Sequence, residues 1–315
     1  MRQKMEYWSM RKLTWEGKIL IIKAIILPLF LLICGVFPPP RCVLLGADRA
    51  IFYFLWGSKW EWLRREVVKR RPENGGKGVP DLYTFLGSIF VATHMKYALT
   101  RAEGKTGAMV RFGLGSYLRR LKILKVDLRT PKQEPVCLVR GLGEGESRQV
   151  WANAAHPALL NRHRDLAWMA AHEVLPVRAV MHSRGMAKNA ICPWPRCGAP
   201  ETVRHALWEC RAAQDLWSIT GALWCPSLSA GGAPALRYRL AVNGVGWSRF
   251  MTPAVFAELW PTLNSVQDAI WPSRNLLTGK HVEVTMHRKK KLVSDTLHVY
   301  ATRASRRRAP GPEAR

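Results

Sequence analysis

The sequence predicts a mainly α fold of two helical units, the second carrying a small Cys/His loop. Three observations carry this. Apolar residues recur at helical spacing, as at Trp15, Ile19, Ile22 and Ile26. Strand-like alternation is weak from end to end. Three of the seven cysteines crowd with a histidine into one segment, CPWPRCGAPETVRHALWEC, residues 192–210. At 315 residues the chain can bury one large core or two modest ones.

Taken in order, Thr14 is placed to cap a helix that begins at Trp15. Ile19 to Phe37 reads ILIIKAIILPLFLLICGVF, apolar except for Lys23. A membrane span needs about 20 apolar residues, so the length is borderline. Lys23 lies near one end, Pro28 breaks the middle, and no small-residue cleavage pattern follows. A buried core helix fits as well. Pro38-Pro39-Pro40 closes this stretch, and Asp48 is expected to cap a short helix, ADRAIFYFLWG, ending at Gly57. Then come a basic stretch (Arg64, Arg65, Lys69, Arg70, Arg71) and the turn-rich PENGGKGVPDL of residues 72–82. Asp81 can start a helix through Tyr83, Leu86, Phe90 and His94. Residues 127–149 carry Pro, Gly and charge with little periodicity and read as a linker. Val150 to Arg184 reads as helical, anchored by Trp151, Leu159, Leu166, Trp168 and Met169. Ala212 to Leu223 and Phe256 to Leu277 are further helices. The tail turns basic at Arg288-Lys289-Lys290-Lys291 and again at Arg306-Arg307-Arg308, and is expected to be disordered beyond any last helix. The division is therefore 1–126, a linker at 127–149, 150–285, and a basic tail at 286–315.

Charge narrows the partners. There are 49 Lys and Arg against 22 Asp and Glu, a net charge of +27. A field of that sign attracts polyanions, meaning nucleic acid or an anionic membrane. The odd, mostly scattered cysteines do not form a secreted disulfide framework and suit a reducing compartment.

The clustered cysteines have the spacing C-x4-C-x7-H-x4-C, with Cys192, Cys197, His205 and Cys210 as ligands. Zinc takes four such donors in a tetrahedron. A Pro-rich turn, Pro193-Trp194-Pro195, lets the first two thiolates converge. His205 and Cys210 are five apart, about 140° past a full helical turn, so the helix must start late, bend or end near Cys210. The commoner finger has C-x2-C, which makes the spacing moderately specific. His182 and Cys225 are the nearest substitute ligands. Four protein ligands close the shell, so the zinc would be structural, ordering a loop against helices.

Four ordered pieces resemble a known family. They are WSMRKLTWEGKILIIKAIILP (residues 8–28), FYFLWG (52–57), RRPENGGKGVPDL (70–82), and the Cys/His segment with Trp217 seven residues on. Together they resemble the C-terminal region of reverse transcriptases of non-LTR, LINE-type retrotransposons. The x4 cysteine spacing is similar to the branch related to the frog Tx-type element. The resemblance covers most of residues 1–290. It implies that 1–126 is the helical thumb-like region, and that Ile19 to Phe37 is a core helix beside an absent polymerase palm, which makes a membrane role unlikely. It also implies a structural zinc segment at 192–210 and a nucleic-acid partner, RNA or DNA. The phosphate contacts are expected at Arg64, Arg65, Lys69, Arg70 and Arg71, and at Arg288, Lys289, Lys290 and Lys291. Trp194 could stack on a base or pack on the zinc loop. The short linker suggests an internal deletion.

Polymerase chemistry needs paired carboxylates holding two divalent ions, and the sequence has no Asp-Asp pair. The palm and fingers would lie upstream of Met1. His163 with Asp165, and His172 with Glu173, lie close together, but a helical surface explains both. The expectation is a non-catalytic nucleic-acid-binding piece of the nucleus or cytoplasm, not secreted. The alternatives are a zinc-stabilised protein-interaction module, a membrane-associated protein held through residues 19–37, and a relic without activity.

Overall fold

A computed structural model of the chain describes residues 1–100, 104–120, 134–224, 236–248 and 251–308. These residues fold into helices. Their one β-type pairing is an isolated antiparallel bridge between Ile191 and Pro200. The chain divides into two units, Met1–Cys137 and Leu138–Arg315.

The first unit comprises α1 (Arg2–Ser9), α2 (Trp15–Ile21), a π turn (Ile22–Ile26), α3 (Pro28–Val36), α4 (Arg41–Trp56), α5 (Arg65–Lys69), α6 (Leu82–Thr100) and α7 (Gly104–Arg120). The Thr14 hydroxyl accepts from the Gly17 N–H, so the expected cap starts α2. Trp15, Ile19, Ile22 and Ile26 are all buried, as are Ile51, Phe52 and Leu55 of α4 and Leu86 of α6. The Trp15 and Trp56 rings meet edge-on at 4.6 Å. Pro28 stands in the first turn of α3, where its missing N–H leaves no helical bond unmade. The two helical halves around it are bent by 42°. No single helix among the described residues is long and apolar enough to cross a membrane, although this bent pair would pass together.

One expected boundary moves. The second helix begins at Arg41, directly after the prolines, and Asp48 lies inside it rather than at its cap. The reason is the stripe Leu44, Ala47, Ile51, Phe54 and Leu55, buried at i, i+3, i+4 spacing, which extends the helix by two turns. Asp48 instead receives Arg65 at 2.7 Å and Lys69 at 3.1 Å. Asp81 does cap the next helix, its Oδ1 accepting from Thr84 N at 2.9 Å. The turn before it needs Gly76. A Cβ there would stand 1.9 Å from the Arg70 carbonyl oxygen.

The second unit comprises α8 (Glu144–Ala154), α9 (Asn161–Ala171), α10 (Arg178–Ser183), a π turn (His205–Glu209), α11 (Arg211–Trp224), α12 (Tyr238–Ala241), α13 (Pro253–Lys280) and α14 (Met286–Arg308). Helix α13 is its axis, with α9, α11 and α14 packed on it. Phe256, Trp260, Leu263, Val266 and Ile270 are buried along it. The Trp260 indole donates to the Asn153 carbonyl at 2.9 Å, and Gln267 Nε2 to the Ala241 carbonyl at 3.0 Å.

Here the structure differs from the sequence reading in three places. The expected helix 150–184 is three helices, broken around Pro157 and Pro176, with Glu173 in the left-handed region at φ 55°. Helix α8 starts at Glu144, inside the expected linker, whose residues 127–133 lie outside the described residues. The basic tail is ordered helix as far as Arg308, because Met286, Lys289, Val293, Leu297 and Tyr300 form a packed stripe hidden among the charges. The Pro-Gly-Pro ending lies outside the described residues.

A buried polar chain fastens α14. The Tyr300 hydroxyl accepts from Leu160 N at 3.0 Å and lies 2.7 Å from His163 Nδ1. His163 Nε2 is 3.2 Å from Asp268 Oδ2, which also takes Arg162 Nε at 3.0 Å. Burial pushes the Asp268 carboxyl up, but the bonds and charges of His163 and Arg162 outweigh it and hold the group below its ordinary value of 3.8. Its stabilisation is therefore present above the ordinary carboxylate range and is lost as pH falls through the lowered value. Asp268→Asn is expected to cost on the order of 1–3 kcal/mol at pH 7. Denaturant melts of both proteins from pH 7 to pH 3 should show that gap narrowing only at the acid end.

Candidate metal centre

Local backbone chemistry builds the Cys/His loop. Cys192 N donates to the Ala199 carbonyl at 2.8 Å, and Glu201 N to the Ala190 carbonyl at 2.7 Å, so residues 190–201 fold back on themselves. Arg196 and Gly198, both left-handed at φ 62° and 67°, turn the loop tip and swing Cys197 inward. The Thr202 hydroxyl then accepts from His205 N at 3.0 Å, opening the next turn. That turn is a π turn, and Cys210 N closes it on the His205 carbonyl at 2.8 Å. Cys210 itself is extended, at ψ 134°. The widened turn and the abrupt end resolve the five-residue offset between His205 and Cys210.

The result is convergence. The four ligand atoms of Cys192, Cys197, His205 and Cys210 all lie within 4.8 Å of one another. Cys192 Sγ is 3.8 Å from Cys210 Sγ, and Cys197 Sγ is 3.2 Å from His205 Nε2. Zinc–sulfur bonds of about 2.3 Å at a tetrahedral angle put two sulfurs about 3.8 Å apart. Cys192, His205 and Cys210 are buried and Cys197 is partly so. Two buried thiols this close share a proton. The bond between them lowers the Cys210 thiol below its ordinary value, while the same bond and burial raise Cys192. Three sulfurs and one imidazole, already gathered and shielded, fit a structural Zn2+. With four protein ligands its shell is closed, and what the ion supplies is a cross-link.

Residues 140–217 match the family described as zinc-binding in reverse transcriptase. This segment is reverse transcriptase-related. The match takes in all four ligands and ends at Trp217, whose indole donates to the Leu207 carbonyl at 2.8 Å and so props the π turn from behind. Comparison with curated proteins finds no match.

A buried pair that the sequence reading missed, Glu201 with Arg274, braces the reverse transcriptase-related loop. Glu201, fully buried, accepts Arg178 N at 2.6 Å and Arg274 Nε at 2.7 Å, with Arg274 Nη2 on the same oxygen as Arg178. Arg274, 4% exposed, comes from α13, 73 residues further on. Stripping one partner from such a buried pair costs about 3–5 kcal/mol. No local signal marks this pair, because its partners meet only in the fold. Lys289, expected as a phosphate contact, is instead a second brace. It is buried with its ammonium 4.3 Å from the Trp194 ring centroid, and burial lowers its pKa despite nearby Glu283, Cys210 and Asp215. Trp194 thus packs between the metal loop and α14.

The structure separates the expected phosphate contacts into two kinds. Arg64, Arg71, Arg288 and Lys291 are exposed, and Lys290 is half-buried. Arg65 is engaged by Asp48 and Glu61, Lys69 by Asp48 and Asp81, Arg70 by the Pro135 carbonyl at 3.0 Å, and Lys289 by Trp194. Of the substitute ligands, His182 is exposed on α10 and apart from the cluster, and Cys225 lies outside the described residues. His163 and Asp165 are core residues rather than surface ones, and His172 stacks on Trp151 at 4.4 Å.

Cobalt makes the centre visible. Co2+ added to the full chain is expected to give a sulfur-to-metal absorption band and tetrahedral d–d bands that saturate at one equivalent. Cys197→Ser should weaken or abolish them, whereas Cys42→Ser, an exposed thiol outside the cluster, should leave them unchanged.

Proposed function

We propose that the chain is a C-terminal portion of a LINE-type retrotransposon reverse transcriptase that binds RNA or DNA and performs no polymerase chemistry itself. One observation carries the reading: a complete Cys3His centre stands inside the segment that matches the reverse-transcriptase zinc-binding family, in a chain of net charge +27. The lack of an Asp-Asp pair supports the non-catalytic part of it. Arg64, Arg71, Arg288 and Lys291 are the cations of the expected set that stand exposed to meet phosphates.

A protein partner is also part of this reading. Leu29, Leu31, Leu32, Ile33, Val36 and Phe37 leave one side of α3 and its end exposed. An apolar surface of this kind fits a covering domain better than water, and in this reading the polymerase palm covers it. Thiolate ligation suits a reducing compartment, the nucleus or the cytoplasm.

Salt dependence tests the reading. Binding of the full chain to single-stranded RNA and DNA oligonucleotides, followed by fluorescence anisotropy, is expected to weaken by about 10²-fold or more between 50 and 200 mM salt. Arg288→Ala combined with Lys291→Ala should reduce the log–log slope by roughly one to two. Absent binding, or affinity indifferent to salt, would favour the protein-interaction module instead.

A further inference from the structure

The first unit contains a cleft that neither basic stretch includes. A cavity of about 790 Å³ opens between α1, the turn after it, the start of α2 and α4. Arg2, Arg11, Lys12, Lys18 and Arg49 line it, against one carboxylate, Glu6. Four of these cations lie within residues 2–18, and the fold brings Arg49 of α4 to them.

Their commitments differ. Lys18 Nζ donates to the Leu55 carbonyl at 2.8 Å and lies over the Phe54 ring, so it belongs to the wall. The Arg11 guanidinium is held over Trp8, 4.7 Å from the ring centroid, with Nη2 on the Tyr7 hydroxyl at 3.2 Å. That leaves it pre-oriented with further N–H groups to give. The side chains of Arg2, Lys12 and Arg49 are exposed and make no ion pair or hydrogen bond with another described residue. Arg65 and Lys69, by contrast, are already matched to carboxylates. Like charges gathered around a concave apolar wall raise the local potential for anions. The cavity also has an aromatic plane: Tyr53, one helical turn beyond Arg49 on α4, is 61% exposed. The volume lies within the range of small-ligand sites.

We propose that this cleft binds one nucleotide unit of a single-stranded nucleic acid, with its phosphate held by Arg2, Arg11, Lys12 and Arg49 and its base stacked on Tyr53. The assignment rests on the nucleic-acid-binding reading above and locates a contact surface for it. A free nucleotide shares the same chemistry, and the test separates the two.

The experiment is anisotropy of a labelled oligouridine on the full chain at fixed low salt, with circular dichroism confirming that each variant is folded. Lys12→Glu with Arg49→Glu is expected to weaken binding by about tenfold or more. Tyr53→Ala should weaken it roughly 5- to 100-fold, and Tyr53→Phe, which keeps the ring, should restore it. If the wild type binds the strand and these variants bind it equally well, the cleft assignment is wrong while the nucleic-acid reading stands. If the wild type binds no strand, both fall. Displacement of the strand by micromolar uridine monophosphate would overturn the strand assignment in favour of a free nucleotide.

Discussion

Three cysteine sulfurs and an imidazole nitrogen within 4.8 Å of one another form an arrangement that favours a bound cation. Two thiolates at 3.8 Å in a shielded site repel each other strongly, so without a metal the Cys192–Cys210 pair keeps a proton between its sulfurs. A divalent cation replaces that proton with four bonds. The surrounding backbone is already shaped for this, through two left-handed residues, a threonine cap and a π turn that ends at the fourth ligand. Zinc–sulfur chemistry thus closes a loop of 19 residues at four points.

The rest of the second unit depends on that loop through two buried contacts. Glu201 ties the loop to α13 through Arg274 and to α10 through the Arg178 backbone. Trp194 ties it to α14 through Lys289. Both are charged groups withdrawn from water, and each is tolerable only while its partner stays in place. The loop is in this way given a defined register against α13 and α14. The Tyr300–His163–Asp268 chain fixes the other end of α14 by the same means.

How much of this was legible in the sequence depends on distance along the chain. Thr14 and Asp81 announce their helices because a cap acts over three residues. The ligand set was legible because its four members sit within one segment; the His205–Cys210 spacing left a late start, a bend or an end near Cys210 open, and the structure resolves it with a π turn that ends at Cys210. Helix α4 was read short because Asp48, just after Gly46, has the chemistry of a helix cap, and the last helix, α14, was given no bounds in the basic tail because charges mask its Val293, Leu297 and Tyr300 stripe. Glu201–Arg274 and the α1–α4 cleft could not be read at all. Each is made of residues far apart in sequence that the backbone brings together, and nothing in their local context distinguishes Arg274 or Arg49 from other basic residues.

Hydrogen–deuterium exchange on the full chain, zinc-loaded and after chelation, addresses the central claim most directly. The account predicts that removing the metal strips protection from residues 190–210 and carries the loss into α11, the Arg274 turn of α13 and the Lys289 turn of α14, while α2 and α4 of the first unit keep theirs. Protection unchanged in those helices after chelation would contradict it, and would leave the Cys/His cluster as an ornament on a unit that stands without it.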